Sequence, residues 1–421
     1  MSVGHENDHL LSSLAFEGSV PHEFFKTLRD EDPAHWTEPG DGSRGFWSFT
    51  RYEDVVALSR DTGTFSSEKG GTTLEDIPEA DLQGRRTMID TDPPLHTGYR
   101  KILAPSFNPG IVRRNWDERV ETIVSETFTA ALAEEGEIEY VSKISSEIPV
   151  RVLAALLDVP DSEAHYIMEL GDEMIASSDP DHAPRTALTP EVLAENSKYQ
   201  FSSPAGRELW EYGDKLRIGR EKDLGHDVFS LLITSEVDGR KLTPHELANF
   251  FSLLVIAGNE TTRMAFSHAA KAFCDFPDQW TKLRENPQLV DSAVEEILRW
   301  ATPIHHFRRT VTQDTEMHGK KLEAGDKVAI WYASANYDER VFTNPHTFDI
   351  ERKPNFHLAF GGGGAHRCLG NSLARLELKV LLQHQIEQVE SFELAGEVKR
   401  LRSNLTHGLK RLPIRMNKIA A

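Results

Sequence analysis

Apolar and polar positions follow two different periods along this chain, and the change of period marks its elements. Phe46-Trp47-Ser48-Phe49-Thr50 alternates and predicts a strand, and Tyr52 to Ser59 follows with helical spacing. Residues 66–86 are rich in Gly, Thr and charge, which predicts a loop or mobile segment. Helical patterns dominate from about residue 110 to about residue 300, interrupted by the proline-bearing stretch Ser177–Ala205, read as a second loop region. Lys327-Val328-Ala329-Ile330-Trp331-Tyr332 predicts a strand. A turn-rich stretch, Asn336 to Asn355, leads into a glycine cluster and a last helix, Leu373 to Val389. Helices outweigh short strands, so the expected class is mainly α: a single α-rich domain over residues 1–421 with a minor β portion and a short polar N-terminal segment, about 1–20.

One helix stands apart. Thr243-Pro244-His245-Glu246 supplies a capping hydroxyl, a proline at the first helical position and an acid at the third. The pattern then runs to about Phe273, roughly 45 Å at 1.5 Å per residue. Its middle, Leu253-Leu254-Val255-Ile256-Ala257-Gly258, is apolar on every side, so this helix is expected to be buried.

Composition narrows the function. A hydrophobic fraction of 39% and a charged fraction of 27% belong to a globular chain, not a disordered one. A net charge of -20 argues against a surface built to grip nucleic acid. The cysteines, Cys274 and Cys368, allow one bridge but no disulfide framework, which favours a reducing compartment. Met1 to Val20 lacks the basic start and apolar core of a signal peptide, and the longest apolar runs, near Phe250–Ala257, fall short of the ~20 residues of a membrane span. The expected location is the cytoplasm, with no membrane anchor.

Four constellations carry candidate chemistry. In Phe360-Gly361-Gly362-Gly363-Gly364-Ala365-His366-Arg367-Cys368-Leu369-Gly370, a glycine run lets backbone approach a ligand, and Cys368 sits just before a helix whose positive end stabilises a thiolate. Such a thiolate suits a haem iron; a small core cysteine and a phosphate cradle are the blander readings, although no phosphate-loop pattern is present. In Ala257-Gly258-Asn259-Glu260-Thr261-Thr262, polar groups inside an apolar helix are costly unless used. The Thr261 hydroxyl can bond the Ala257 carbonyl, Gly258 leaves room for a flat ligand, and an acid beside an alcohol can relay protons; a polar helix–helix contact is the alternative. Glu296 and Arg299, three apart, share a helix face. His96 and Arg100, after Asp92-Pro93-Pro94, share another that suits a carboxylate or phosphate, or form a plain helix start. His305 and His306 can bind a substrate oxygen or face solvent or the haem edge.

Together and in this order these elements resemble the cytochrome P450 superfamily, from Phe46 to the C-terminus. The resemblance implies haem b, with Cys368 as the iron ligand, His96, Arg100, Arg309 and His366 on the propionates, and Ala257, Gly258 and Phe360 lining the cofactor. It implies that Glu260 and Thr261 deliver protons, that Glu296 and Arg299 form a buried structural pair, and that Thr302–Phe307 runs along a substrate pocket. The implied activity is monooxygenation of a lipophilic small molecule with electrons from a ferredoxin and its reductase, by a monomer. Arg352, Lys353, Arg367 and Arg375 would form the docking patch. A peroxide-using peroxygenase, a haem-binding sensor without turnover and a haem-free binding protein are the rivals. Three features depart from the common pattern, the first being Glu260 where many members have Asp. An extra glycine among Gly361–Gly364, with Arg400–Asn404 and Gly408–Lys410, is similar to hydroxylases of steroids and methyl-branched lipids, with terpenoid hydroxylases as neighbours. The stretch Asn344–Phe348 lacks the arginine that usually joins the Glu296–Arg299 pair, which leaves His346 or Arg352 for that place.

Overall fold

The computed structural model describes residues 10–39, 43–175, 179–182 and 186–419. The first nine residues of the expected N-terminal segment, and residues 177, 178 and 183–185 of the expected second loop, lie outside that set.

The strand patterns build one mixed sheet. Its members are β1 (Ala34–Thr37), β2 (Phe46–Phe49), β3 (Phe65–Ser66), β4 (His306–Val311) and β5 (Lys327–Trp331), in the spatial order β1-β2-β5-β4-β3. β5 runs parallel to β2 and antiparallel to β4, with Val328 opposite Arg309. The period-two pattern of β5 serves both faces: Val328 and Ile330 join one apolar cluster with Phe49 and Val55, while Ala329 and Trp331 join another with Phe25 and Phe46. That second cluster also takes Leu10, Phe16 and Val20, so the described part of the N-terminal segment is pinned to the sheet by apolar anchors rather than being wholly polar.

Helices make the larger part. Those that position the site are α1 (Tyr52–Arg60), α2 (Leu95–Leu103), α3 (Pro109–Ala133), α4 (Glu147–Leu157), α5 (Asp161–Ile175), α6 (Pro204–Arg220), α7 (Pro244–Asp275), α8 (Val290–Ala301) and α9 (Asn371–Gln388). The long central helix is α7, 32 residues, closed at its start by the expected capping box: Thr243 accepts from the Glu246 N–H and Glu246 accepts from the Thr243 N–H. α4, α5, α6 and α8 pack around it, and α9 lies on α3. The predicted loop at 66–86 contains a short helix, Glu79–Arg85, and the second loop region contains another, Pro190–Glu195. Among the described residues no helix is long and apolar enough to cross a membrane.

The uniform burial expected for α7 fails at its midpoint. Leu253 and Val255 are buried, but Ala257 and Gly258 are exposed and Leu254, Ile256 and Thr261 are partly so. A helix this deep in the chain therefore borders an open space on one face.

Candidate active site

The Cys368 loop is shaped by its own backbone. The Cys368 N–H donates to the Phe360 carbonyl at 2.9 Å, Asn371 Nδ2 donates to the Cys368 carbonyl at 2.7 Å, and the Gly370 N–H faces the sulfur. Burial pushes the thiol up, while that N–H and the guanidiniums of Arg100, Arg375 and Arg367 pull it down. α9 starts three residues later, so its unpaired N–H groups point toward the loop. The glycines serve mainly the fold. Gly361, Gly363 and Gly364 have φ of 91°, 92° and 72°. A Cβ on Gly362 would stand 2.5 Å from Ser59 Oγ and 2.8 Å from the Val55 carbonyl, so the loop is seated against α1. The Phe360 ring lies beneath the Arg375 guanidinium, 4.5 Å away.

The expected basic set comes together. The rings of His96, on α2, and His366 are 4.3 Å apart, and Arg309 and Arg100 lie close enough to hold the His366 proton affinity down, with burial as the main cause. His96 is depressed to about 4 by burial and by Arg100. Arg309 is buried on β4, and His96 Nδ1 and Arg309 Nε are buried without a hydrogen-bond partner. Two acids lie nearby: Asp92, 4.0 Å from His366 and already bonded to Ser66 Oγ and the Ser67 N–H, and Asp90, bonded to Thr72 and Thr87. Two arginines and two neutral, donor-bearing histidines around one space, with buried nitrogens left unbonded, fit the two carboxylates of a haem better than an apolar ligand. With a cysteine backed by N–H groups and an open apolar helix face, the donor set fits haem b.

On α7, Thr261 Oγ1 donates to the Ala257 carbonyl at 3.0 Å, as the sequence predicts. Gly258 adds a correction to the expected reason for a glycine. A Cβ there would meet Leu153 Cδ1 at 3.2 Å, so the missing side chain faces α4 while the backbone stays exposed. Glu260 is 2% exposed, and burial holds its carboxyl well above the usual range. Its Oε1 meets Arg263 Nη2, and Arg263 Nη1 donates to Asp172 Oδ2 on α5 at 2.6 Å. The sequence reading missed this group. Arg263 carried a signal, the same three-residue spacing as Glu296 and Arg299; Asp172, 91 residues away, carried none.

Glu296 and Arg299 are fully buried and doubly bonded at 2.8 Å. The third member is Arg352, whose Nε lies 3.0 Å from Glu296 Oε2; His346 packs instead edge-on to His22 and tilted against Tyr337. This overturns the expected docking patch in part, since Arg352 is buried in the triad and Arg375 is paired with Glu295. Lys353 and Arg367 stay exposed. His305 packs against Phe16 and His407, and His306 against Trp331, so both rings belong to aromatic clusters and not to solvent.

Comparison with known proteins agrees. Residues 208–415 match the family described as "Cytochrome P450". A steroid C26-monooxygenase of Rhodococcus jostii is 34% identical over 94% of this chain and 82% of its own length. A methyl-branched lipid omega-hydroxylase of Mycobacterium bovis is 36% identical over 96% of this chain and 93% of its own. The solved Mycobacterium marinum cytochrome P450 in complex with pseudoionone superposes with a TM-score of 0.88 at 32% identity, covering 99% of this chain and all of that one. Likeness over nearly the whole length, joined to a glycine-rich cysteine loop, a basic cluster and an open helix midpoint, assigns the chain to the cytochrome P450 family.

Proposed function

We propose that this chain is a haem-thiolate monooxygenase that places one oxygen atom of dioxygen into a C–H bond of a lipophilic small molecule. The observation that carries the reading is the open middle of α7, where Thr261 and the buried acid Glu260 stand beside the exposed backbone of Ala257 and Gly258. Haem b, when bound, supplies the dioxygen chemistry, which a thiolate ligand favours. Cys368 would be that ligand, held in place by the Phe360 carbonyl and the Gly370 N–H. His96, Arg100, Arg309 and His366 would hold the propionates. Thr261, whose Oγ1 donates to the Ala257 carbonyl, would turn to present a proton to the open face, and the buried acid Glu260 would resupply it. Leu254 and Ile256, partly exposed on the same helix, would keep that face apolar and exclude water.

Likeness to a steroid C26-monooxygenase, a methyl-branched lipid omega-hydroxylase and a cytochrome P450 in complex with pseudoionone supports a steroid, a branched fatty acid or a terpenoid as substrate. Electrons would come from a ferredoxin and its reductase, docking by charge at Arg367 and Lys353. We place the enzyme in the cytoplasm, as a monomer whose whole chain acts as one unit, with its two free cysteines supporting a reducing compartment. Thr261→Ala tests the reading in a reconstituted system. Electron consumption diverted from product to hydrogen peroxide is expected; unchanged coupling would refute dioxygen activation at this site and leave the peroxide-using alternative. Spectral titration with sterols, branched fatty acids and terpenoids identifies the class by which one converts the ferric enzyme to high spin.

A further inference from the structure

The second loop region carries a strained turn. Phe201 and Ser202 both have left-handed backbone, with φ of 55° and 49°. That conformation is costly for a residue with a Cβ and persists only where surrounding contacts impose it. Here one side chain supplies most of those contacts. Arg85, at the end of the short helix Glu79–Arg85, is 5% exposed. Its Nε donates to the Ser197 carbonyl, its Nη2 donates to Ser202 Oγ, and its own carbonyl accepts from Gln200 Nε2. Ser202 Oγ donates in turn to Glu75 Oε1 at 3.2 Å, and Arg85 Nη1 donates to Glu75 Oε2 at 3.0 Å. The arginine is itself anchored to α7: the Gly84 and Arg86 carbonyls on either side of it accept from Asn249 Nδ2 at 3.0 Å each. A Cβ on Gly84 would stand 2.8 Å from Lys198 Cβ, so the two loop regions are in close contact. The turn rests on α5 and α6, which pack on α7. The Phe201 ring packs on the main apolar cluster yet stays partly exposed. A segment that only joined α5 to α6 would relax this turn; instead a buried arginine is committed to holding it.

We propose that Phe201 determines substrate size, its ring forming part of the roof of the pocket in front of α7. Arg85 and Glu75 are then positioning residues that hold the ring there through the strained turn. When they let go, Phe201 and Ser202 return to right-handed backbone, the ring turns away and the roof admits larger molecules. The inference rests on the reading of the open face of α7 as the place where haem and substrate meet.

Azoles that ligate iron read the roof without turnover, through the Soret band of the ferric holoenzyme in stopped flow. Imidazole is too small to meet the roof, and econazole must pass it. Phe201→Ala should speed econazole association by about tenfold and leave imidazole within about twofold. Arg85→Gln should do the same, and the double variant should add nothing, because both changes act through one ring. An arginine with a merely structural role would alter both azoles alike, or add to the effect of Phe201→Ala. Glu75→Gln, at a carboxylate 42% exposed, should give a smaller effect of the same kind, and replaces Arg85→Gln if that variant fails to hold haem. Thermal unfolding tests the strain. Glycine takes left-handed backbone freely, so Phe201→Gly should unfold at a higher temperature than Phe201→Ala. Unchanged econazole rates in Phe201→Ala, an additive double variant, or the reverse order of unfolding temperatures overturns the proposal. A wild-type Soret band that imidazole fails to shift refutes the haem reading and the roof with it; a normal imidazole shift beside any of those three results refutes the roof alone.

Discussion

Replacing Glu296 by glutamine should cost this protein a large part of its stability and its hold on haem. The carboxylate is fully buried and answers two cations: Arg299 through Nε and Nη2 at 2.8 Å each, and Arg352 through Nε at 3.0 Å. It also accepts from the Asp349 N–H at 3.0 Å and from Asn355 Nδ2 at 3.1 Å. Glutamine keeps the shape and removes the charge. Two guanidiniums are then left buried without a counter-ion, and an amide nitrogen is turned toward donors. Removing one partner of a buried pair costs about 3–5 kcal/mol. Here one anion serves two cations, so the upper end applies, against a total stability of about 5–15 kcal/mol.

The loss should also reach the cofactor. Asp349, Arg352 and Asn355 lie in the turn-rich segment that leads into the Cys368 loop, and Arg352 further bonds the Thr343 and Thr347 carbonyls at 2.7 and 2.8 Å. Without Glu296 that segment loses its common anchor. The assay is denaturant unfolding of the ferric enzyme, followed by circular dichroism and by Soret absorbance. Glu296→Gln should unfold at much lower denaturant and release haem first, and added salt should change the wild-type midpoint little because the triad is buried. A variant within about 1 kcal/mol of wild type, with haem retention intact, would refute this account of the triad.

Acid should weaken the fold early. Burial holds His306 and His407 down to about 3, and depresses His268 and His305 too. Below about pH 6.5 the unfolded chain takes protons that the folded chain refuses, so stability is full above that pH and falls as pH drops toward 3, by up to about 1.4 kcal/mol per group per unit; equal denaturant midpoints at pH 7 and pH 5.5 would contradict it. Gly362→Ala should cost about 1–3 kcal/mol in thermal unfolding through collision with Ser59 and Val55, whereas Gly370→Ala, with nothing within 4 Å and φ of -75°, should be nearly neutral. Arg367→Glu, at an exposed position, should slow reduction by a ferredoxin and flatten its salt dependence; unchanged rates would move the docking face elsewhere.

What the sequence discloses follows the range of the physics involved. The capping box at Thr243 and the Thr261 bond to Ala257 are local, decided within four residues, and both stand as read. The sheet partners of β5 and the triad role of Arg352 depend on contacts across tens of residues or more, so the sequence could only offer Arg352 beside His346. Asp172 had no local signal at all. The misreading of α7 has a different cause. A helix apolar on all sides was taken to be buried in protein, yet Ala257 and Gly258 are exposed. Periodicity reports which side chains avoid water, and a flat apolar cofactor removes water as well as a neighbouring helix does. The same reasoning covers the unsatisfied nitrogens of His96 and Arg309, which stand together with Arg100 and His366 where an anionic ligand would bond them. Those nitrogens lie beside His366 of the cysteine loop, as expected if the sequence was selected to fold around haem.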